Sequence, residues 1–171
     1  MRLGVGPEAV QGALFLTLLF GIALTDARFY IIPNEFSLGG LALGLSLATW
    51  ISVTTGQIDP LIQSAAGATL GFGLLLAVAV GGKAVFKKDA MGGGDIKMMA
   101  MVGSFLGVAG VLLTLFLGAL LGAVIFGPIS WRTGKLVPFG IFLAAGAAVT
   151  YAWGDAILEW YFVNILDMVP Q

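Results

Sequence analysis

The chain has 171 residues, of which 59% are hydrophobic and 10% charged, and its mean hydropathy is +1.04. The apolar residues form long continuous runs, which is typical of a polytopic membrane protein and excludes an appended soluble domain. The net charge of −1 excludes a nucleic-acid-binding face, and the lack of cysteine and histidine excludes disulfides, zinc sites and cysteine or histidine catalysis. Carboxylates are therefore the main candidates for acid–base chemistry.

The apolar runs predict an all-α fold with six transmembrane helices. The run from Ile96 to Ser130 is too long for one ordinary span, and we predict that it breaks near Gly107 to Gly110. The predicted spans are about 10–25, 36–53, 61–80, 96–107, 110–130 and 137–153. We expect residues 1–171 to form one membrane-embedded domain that ends in an outer-surface tail at 154–171.

The basic residues predict the orientation of these spans, because lysine and arginine concentrate in cytoplasmic loops. With six spans, seven basic residues share one side: Arg28, Lys83, Lys87, Lys88, Lys97, Arg132 and Lys135. The acids predicted on the opposite side are Glu8, Asp59, Asp155 and Glu159. We therefore expect an inner-membrane protein with its N-terminus outside. A signal peptide ending near Ala23 or Ala27 is the weaker alternative, because Glu8 interrupts its basic region.

Small and flexible residues within the spans have an expected packing role. Glycines in the second and third runs are predicted to allow close contact between helices. These are Gly39, Gly40, Gly44, Gly67, Gly71 and Gly73. Three methionines of the fourth span, Met98, Met99 and Met101, are predicted to fill the core.

Two aspartates fall at the cytoplasmic boundary of the predicted bundle, where they could meet. Asp26 ends the first span, and Asp95 follows the three glycines of "GGGD" at the start of the fourth. An ionisable residue at the edge of a hydrocarbon segment indicates function. The structural alternative has merit for Asp95, since an acid entering a helix complements the helix dipole, and less for Asp26, which ends one.

Two carboxylates held close together cannot both ionise cheaply, so they share a proton. One can then activate a water while the other polarises a peptide carbonyl, as in aspartic proteases. Glycines before Asp95 would let another backbone approach it. The other acids on this side are interpreted as structural, with Glu35 opening the second helix and Asp89 solvated beside Lys87 and Lys88.

Three segments resemble the type IV prepilin peptidases, membrane aspartic proteases of the GxGD type. "GGGDIK" (92–97) resembles the family's GxGDxK signature, "DARFYIIPN" (26–34) resembles the region of its first aspartate, and "VPFGIFLAAG" (137–146) is similar to its Pro-Phe-Gly segment. By this resemblance, Asp26 and Asp95 are the catalytic pair. The other matched motif positions are Gly92, Gly94, Lys97, Pro33, Pro138 and Gly140.

Two of the matched positions carry open questions. Lys97 adds a positive charge near the carboxylates, and an anchor on the cytoplasmic side is its structural alternative. Many family members read Pro-Phe-Gly-Pro where this chain has Ile141 in place of the second proline. This replacement weakens any inference about the shape of that loop, and we expect it not to touch the aspartates.

The resemblance implies an aspartic endopeptidase that removes the leader peptide from type IV prepilin or pilin-like precursors after a glycine, at the cytoplasmic face. Because 25 residues precede Asp26 and cysteine is lacking, we expect no N-methyltransferase activity, as in the Flp/tight-adherence prepilin peptidases. The expected partners are this substrate and the lipid bilayer, with no cofactor, metal or nucleic acid; the oligomeric state is open. The alternatives are an archaeal-type preflagellin peptidase, a proton- or ion-coupled transporter and a non-catalytic assembly factor.

Overall fold

A computed structural model describes residues 7–87, 91–133 and 139–164, and these ranges contain helices and no strand. The helices are α1 (Pro7–Phe29), α2 (Asn34–Thr55), α3 (Asp59–Phe86), α4 (Gly93–Thr133) and α5 (Phe139–Asn164). All five are long and apolar enough to cross a membrane. The predicted all-α membrane class is therefore confirmed for the described part of the chain.

The ends of the helices follow from residues that suit a change of backbone direction. Tyr30, with φ 55°, ends α1, and its N–H donates to the carbonyl oxygen of Asp26 at 3.0 Å. Gly56, at φ 70°, ends α2 in the left-handed conformation that glycine adopts most readily. Pro33 is extended and precedes α2, because proline fixes φ and disfavours a helical residue before it.

The structure has five membrane-length helices where the sequence analysis predicted six spans. The predicted spans 96–107 and 110–130 both lie in α4, which leaves helical geometry at Gly107 (φ 68°, ψ −169°). No separate loop divides them, because one glycine absorbs the change in dihedral angles. The last predicted span also differs, since α5 continues to Asn164 through part of the predicted tail, while residues 165–171 lie outside the described ranges.

The two parts of α4 run in opposite directions. Before Gly107, α4 is antiparallel to α1, since Phe105 stacks on Phe15 with ring centroids 4.8 Å apart and Asp95 approaches Asp26. α5 is also antiparallel to α1, because Tyr151 contacts Phe15 while Ile141 reaches Asp26.

After Gly107, α4 runs antiparallel to α5. The Thr114 hydroxyl donates to Thr150 Oγ1 at 3.2 Å, and a Cβ on Gly118 would stand 3.1 Å from Leu143 Cδ2. The second part of α4 is consequently parallel to α1, so the chain reverses at Gly107.

The core lies where α4 meets the other helices. Met98, Met99 and Met101 are fully buried, which confirms their predicted packing role, and they join a cluster that includes Phe15 and Leu143. Large apolar side chains such as Phe20 and Phe116 are mostly exposed, as is expected of surfaces that face lipid.

Close helix contact is confirmed for some of the predicted glycines and not for others. A Cβ on Gly67 would meet the carbonyl oxygen of Gly103, and one on Gly71 would meet that of Met99. Gly40 and Gly44 pack against side chains of α4 in the same way. The prediction is wrong for Gly39 and Gly73, because a Cβ on either would meet nothing within 4 Å.

This difference allows a matched test of the α3–α4 contact. We expect Gly103→Ala to destabilise the protein by about 1–3 kcal/mol, because its methyl group would meet the backbone of Gly67. Gly73→Ala should leave stability unchanged or slightly raised, since alanine favours the helix and the space is open. Thermal unfolding in detergent measures both, and equal loss in the two variants would contradict the observed packing.

Candidate active site

Asp26 lies in the last turn of α1 and is 6% exposed. The Ile141 N–H donates to Asp26 Oδ2 at 3.2 Å, and a second backbone hydrogen bond comes from Gly140. A Cβ on Gly140 would stand 2.7 Å from the same oxygen, so glycine is required for the backbone of α5 to come this close. The first turn of α5 therefore covers one side of the carboxylate.

Asp95 lies in the first turn of α4 and is 8% exposed. It is close enough to Asp26 for the charge of that residue to act on it, and it receives a backbone hydrogen bond from Gly92. This position also complements the N-terminal end of the helix dipole. Asp95 therefore both complements the helix dipole, which is the structural alternative for this residue, and lies close to Asp26.

The two aspartates form an isolated buried pair within the described ranges. They are the only buried charged residues among those whose burial the structure describes, and no group of three or more acids that could hold a metal ion occurs among the described residues. Two carboxylates alone would leave most of the coordination shell of Mg²⁺ or Ca²⁺ unfilled. The arrangement suits proton transfer to and from a water better than metal binding.

The structure brings most of the other predicted site residues to the same end of the bundle. Lys97 Nζ donates to Asn34 Oδ1 at 2.8 Å. Asn34 is the first residue of α2 and directly follows Pro33. A Cβ on Gly94 would stand 2.9 Å from Ile32 Cβ, whereas Gly92 is exposed and lies beside Asp95. Pro138 lies outside the described residues.

The expectation that Ile141 does not affect the aspartates is wrong. Its backbone N–H is a hydrogen-bond donor to Asp26, and a proline at this position could not supply that donor. Sequence reasoning missed this role because it considered the side chain and the shape of the loop. The replacement of the second proline was the signal that could have revealed it.

Ile32 and Asn34 were also missed as neighbours of the site. Both flank Pro33 in the quoted "IPN" segment, so the motif itself was the available signal. Ile32 contacts Gly94 and Asn34 contacts Lys97, and both partners lie in α4, about 60 residues further along the chain.

The fold and site together define a helical membrane protein with two buried aspartates at one end of the bundle. A model of the type IV leader peptidase family matches residues 13–127, a range that contains both aspartates. The chain belongs to this family.

Curated relatives agree with this assignment. The chain is 34% identical over 166 residues to a prepilin leader peptidase/N-methyltransferase of Bacillus subtilis, covering 94% of this chain and 62% of the relative. A protein of the same name from Aeromonas salmonicida is 32% identical over 174 residues, covering 97% and 57%. The chain therefore spans less than two thirds of the length of these relatives. No solved structure matches the chain.

The proximity of the two aspartates can be tested without an activity assay, because the chain contains no cysteine. We expect the double variant Asp26→Cys/Asp95→Cys to be bridged efficiently by a short bifunctional thiol reagent in detergent. The control, Asp26→Cys/Asp155→Cys, pairs Asp26 with the opposite end of α5 and should not be bridged. Mass spectrometry of the linked peptides reads out both, and equal bridging in the two variants would contradict the site.

Proposed function

We propose that this protein is an aspartic endopeptidase that removes the leader peptide from type IV prepilin or pilin-like precursors. The observation that carries the proposal is the buried pair of Asp26 and Asp95 at one end of an apolar bundle. Membership of the leader peptidase family and the names of the relatives support the substrate class. The bacterial relatives favour a prepilin over an archaeal preflagellin as the substrate.

The proposed reaction is hydrolysis of the peptide bond that follows a glycine of the leader. A water between the carboxylates loses a proton to one of them, and its oxygen adds to the carbonyl carbon of the glycine. The other carboxyl group, which is protonated, donates a hydrogen bond to the carbonyl oxygen. The carbon–nitrogen bond then breaks as the departing amine takes up a proton from the carboxyl group that received one from the water. The roles of base and acid are assigned to the pair, since coupled carboxylates titrate together.

The proposed site faces the cytoplasm, at the inner membrane. Basic residues at the Asp26 end of the bundle include Arg28, Lys83, Lys87 and Lys97. Acids at the opposite end are Asp59, Asp155 and Glu159. This distribution favours a cytoplasmic Asp26 by the positive-inside rule. Lys88, Asp89 and Lys135, which also entered the predicted topology, lie outside the described residues.

Six membrane crossings with the N-terminus outside are part of this proposal. The reversal of α4 at Gly107 supports two crossings within that helix, and α5 then begins on the same side as Asp26. A leader that is basic and cytoplasmic would reach a site in this position directly. A transporter is less well supported, because the acids lie at one end of the bundle rather than at its middle.

We propose leader cleavage for this chain, and we propose no N-methyl transfer. The relatives are named for both activities. The pair of aspartates explains hydrolysis, whereas the geometry of the described residues suggests no chemistry for methyl transfer. Incubation of the purified protein with S-adenosylmethionine and a cleaved pilin should accordingly leave the new N-terminus unmethylated.

The central test is cleavage of a prepilin-like substrate by the purified protein in detergent. Asp26→Asn and Asp95→Asn should each lower turnover by at least about 100-fold, because each removes a proton-transferring group. Glu35→Gln is the matched control, since it removes an exposed acid at the same end of the bundle. The control should retain wild-type turnover. Cleavage that persists in Asp95→Asn would refute the proposed mechanism.

A second test concerns the backbone donor to Asp26. We expect Ile141→Pro to lower turnover by about tenfold, because it removes a hydrogen bond to a carboxylate. Thermal stability should change little, since proline is tolerated in the first turn of a helix. Ile141→Val keeps the N–H and serves as the control. Wild-type turnover in Ile141→Pro would show that this hydrogen bond has no part in the reaction.

A further inference from the structure

The Ile32 side chain lies between the two backbone segments that surround the aspartates. Its Cβ is 2.9 Å from the point where a Cβ on Gly94 would stand. Its Cδ1 is 2.9 Å from the corresponding point on Gly140. Gly94 directly precedes Asp95, and Gly140 contacts Asp26. Ile32 therefore acts as a spacer between the first turn of α4 and the first turn of α5.

Several polar contacts hold the segment that carries Ile32. At its start, the Tyr30 N–H donates to the carbonyl oxygen of Asp26 at 3.0 Å. At its end, the Pro33 carbonyl oxygen accepts hydrogen bonds from the N–H and the hydroxyl of Ser37, each at 3.2 Å. Next to Pro33, Asn34 Oδ1 accepts the hydrogen bond from Lys97 Nζ. The contacts of Tyr30 and Ser37 are local to the segment, whereas the contact of Lys97 connects it to α4.

Lys97 lies on the same helix as Asp95, two residues further along the chain. An ammonium group 2.8 Å from an amide oxygen makes a charge-assisted hydrogen bond, which is stronger and more directional than a neutral one. The contact is exposed, so water weakens it and it cannot be a main source of stability. It can nevertheless fix the position of a short segment that is already tied at both ends.

We propose that Lys97 is a positioning residue, which holds Ile32 between Gly94 and Gly140 through Asn34 and thereby fixes the separation of Asp26 and Asp95. The inference rests on the proposed peptidase function. The alternative is a general anchor on the cytoplasmic side, for which any basic residue at this end of the bundle would serve equally.

A double-mutant cycle on cleavage tests this role. Lys97→Met and Asn34→Leu should each lower kcat by between about tenfold and a hundredfold, because the aspartates lose their fixed separation. KM should change less. The double variant should be no slower than the slower single variant, since both changes remove one contact. Asn34→Asp keeps the acceptor oxygen and should restore kcat to near the wild-type value.

The matched control for charge is Lys87→Met, which removes an exposed basic residue at the same end of the bundle. The proposal expects wild-type kcat in this variant. Equal loss in Lys87→Met and Lys97→Met would support the anchor and overturn the proposal. A full multiplicative loss in the Lys97→Met/Asn34→Leu double variant, or wild-type kcat in Asn34→Leu, would overturn it too, because Lys97 would then act independently of Asn34.

Cross-linking separates this inference from the proposed function, because it needs no cleavage. In Asp26→Cys/Asp95→Cys, adding Lys97→Met or Ile32→Ala should reduce bridging by a short reagent and leave bridging by a longer one. Ile31→Ala, at an isoleucine that is 62% exposed, should have no effect. Unchanged short-reagent bridging on addition of Lys97→Met would overturn the positioning role, and unchanged bridging with Ile32→Ala would overturn the spacer through which it acts, whether or not the wild-type protein cleaves a prepilin.

Discussion

Two buried carboxylates, close enough for the charge of one to act on the other, impose the constraint on which this structure depends. Buried charge is expensive unless hydrogen bonds compensate for the lost water. Backbone groups make that compensation here, from Ile141 and Gly140 to Asp26 and from Gly92 to Asp95. The ends of three helices must therefore converge, which leaves no room for a side chain at Gly140 and little at Gly94.

The reversal of α4 links the fold to this convergence. Gly107 turns the chain back, so that the second part of α4 can pack along α5 through Thr114 and Gly118. This packing directs the first turn of α5 towards Asp26, which lies on a different helix.

Much of the fold and of the candidate site could be predicted from the sequence. Hydropathy predicted membrane helices, and charge placed Asp26 and Asp95 at the same boundary. The length of the fourth apolar run predicted the break near Gly107, but not that it lies within one continuous α4, because a reversal at one glycine leaves no polar loop. The contacts of Ile32, Asn34 and Ile141 were missed for another reason. They join segments distant in the chain, and Ile141 acts through its backbone N–H, which every residue except proline possesses.

The central claim is that Asp26 and Asp95 together stabilise a hydrated peptide carbonyl. The most direct measurement is the Kd of a prepilin-like peptide in which a hydroxyl-bearing isostere replaces the scissile bond. The account predicts that the wild-type protein binds it at least about 100-fold more tightly than the unmodified peptide. Asp26→Asn and Asp95→Asn should each lose that advantage. Equal affinity for the two peptides in the wild-type protein, or an advantage retained in both variants, would contradict the account.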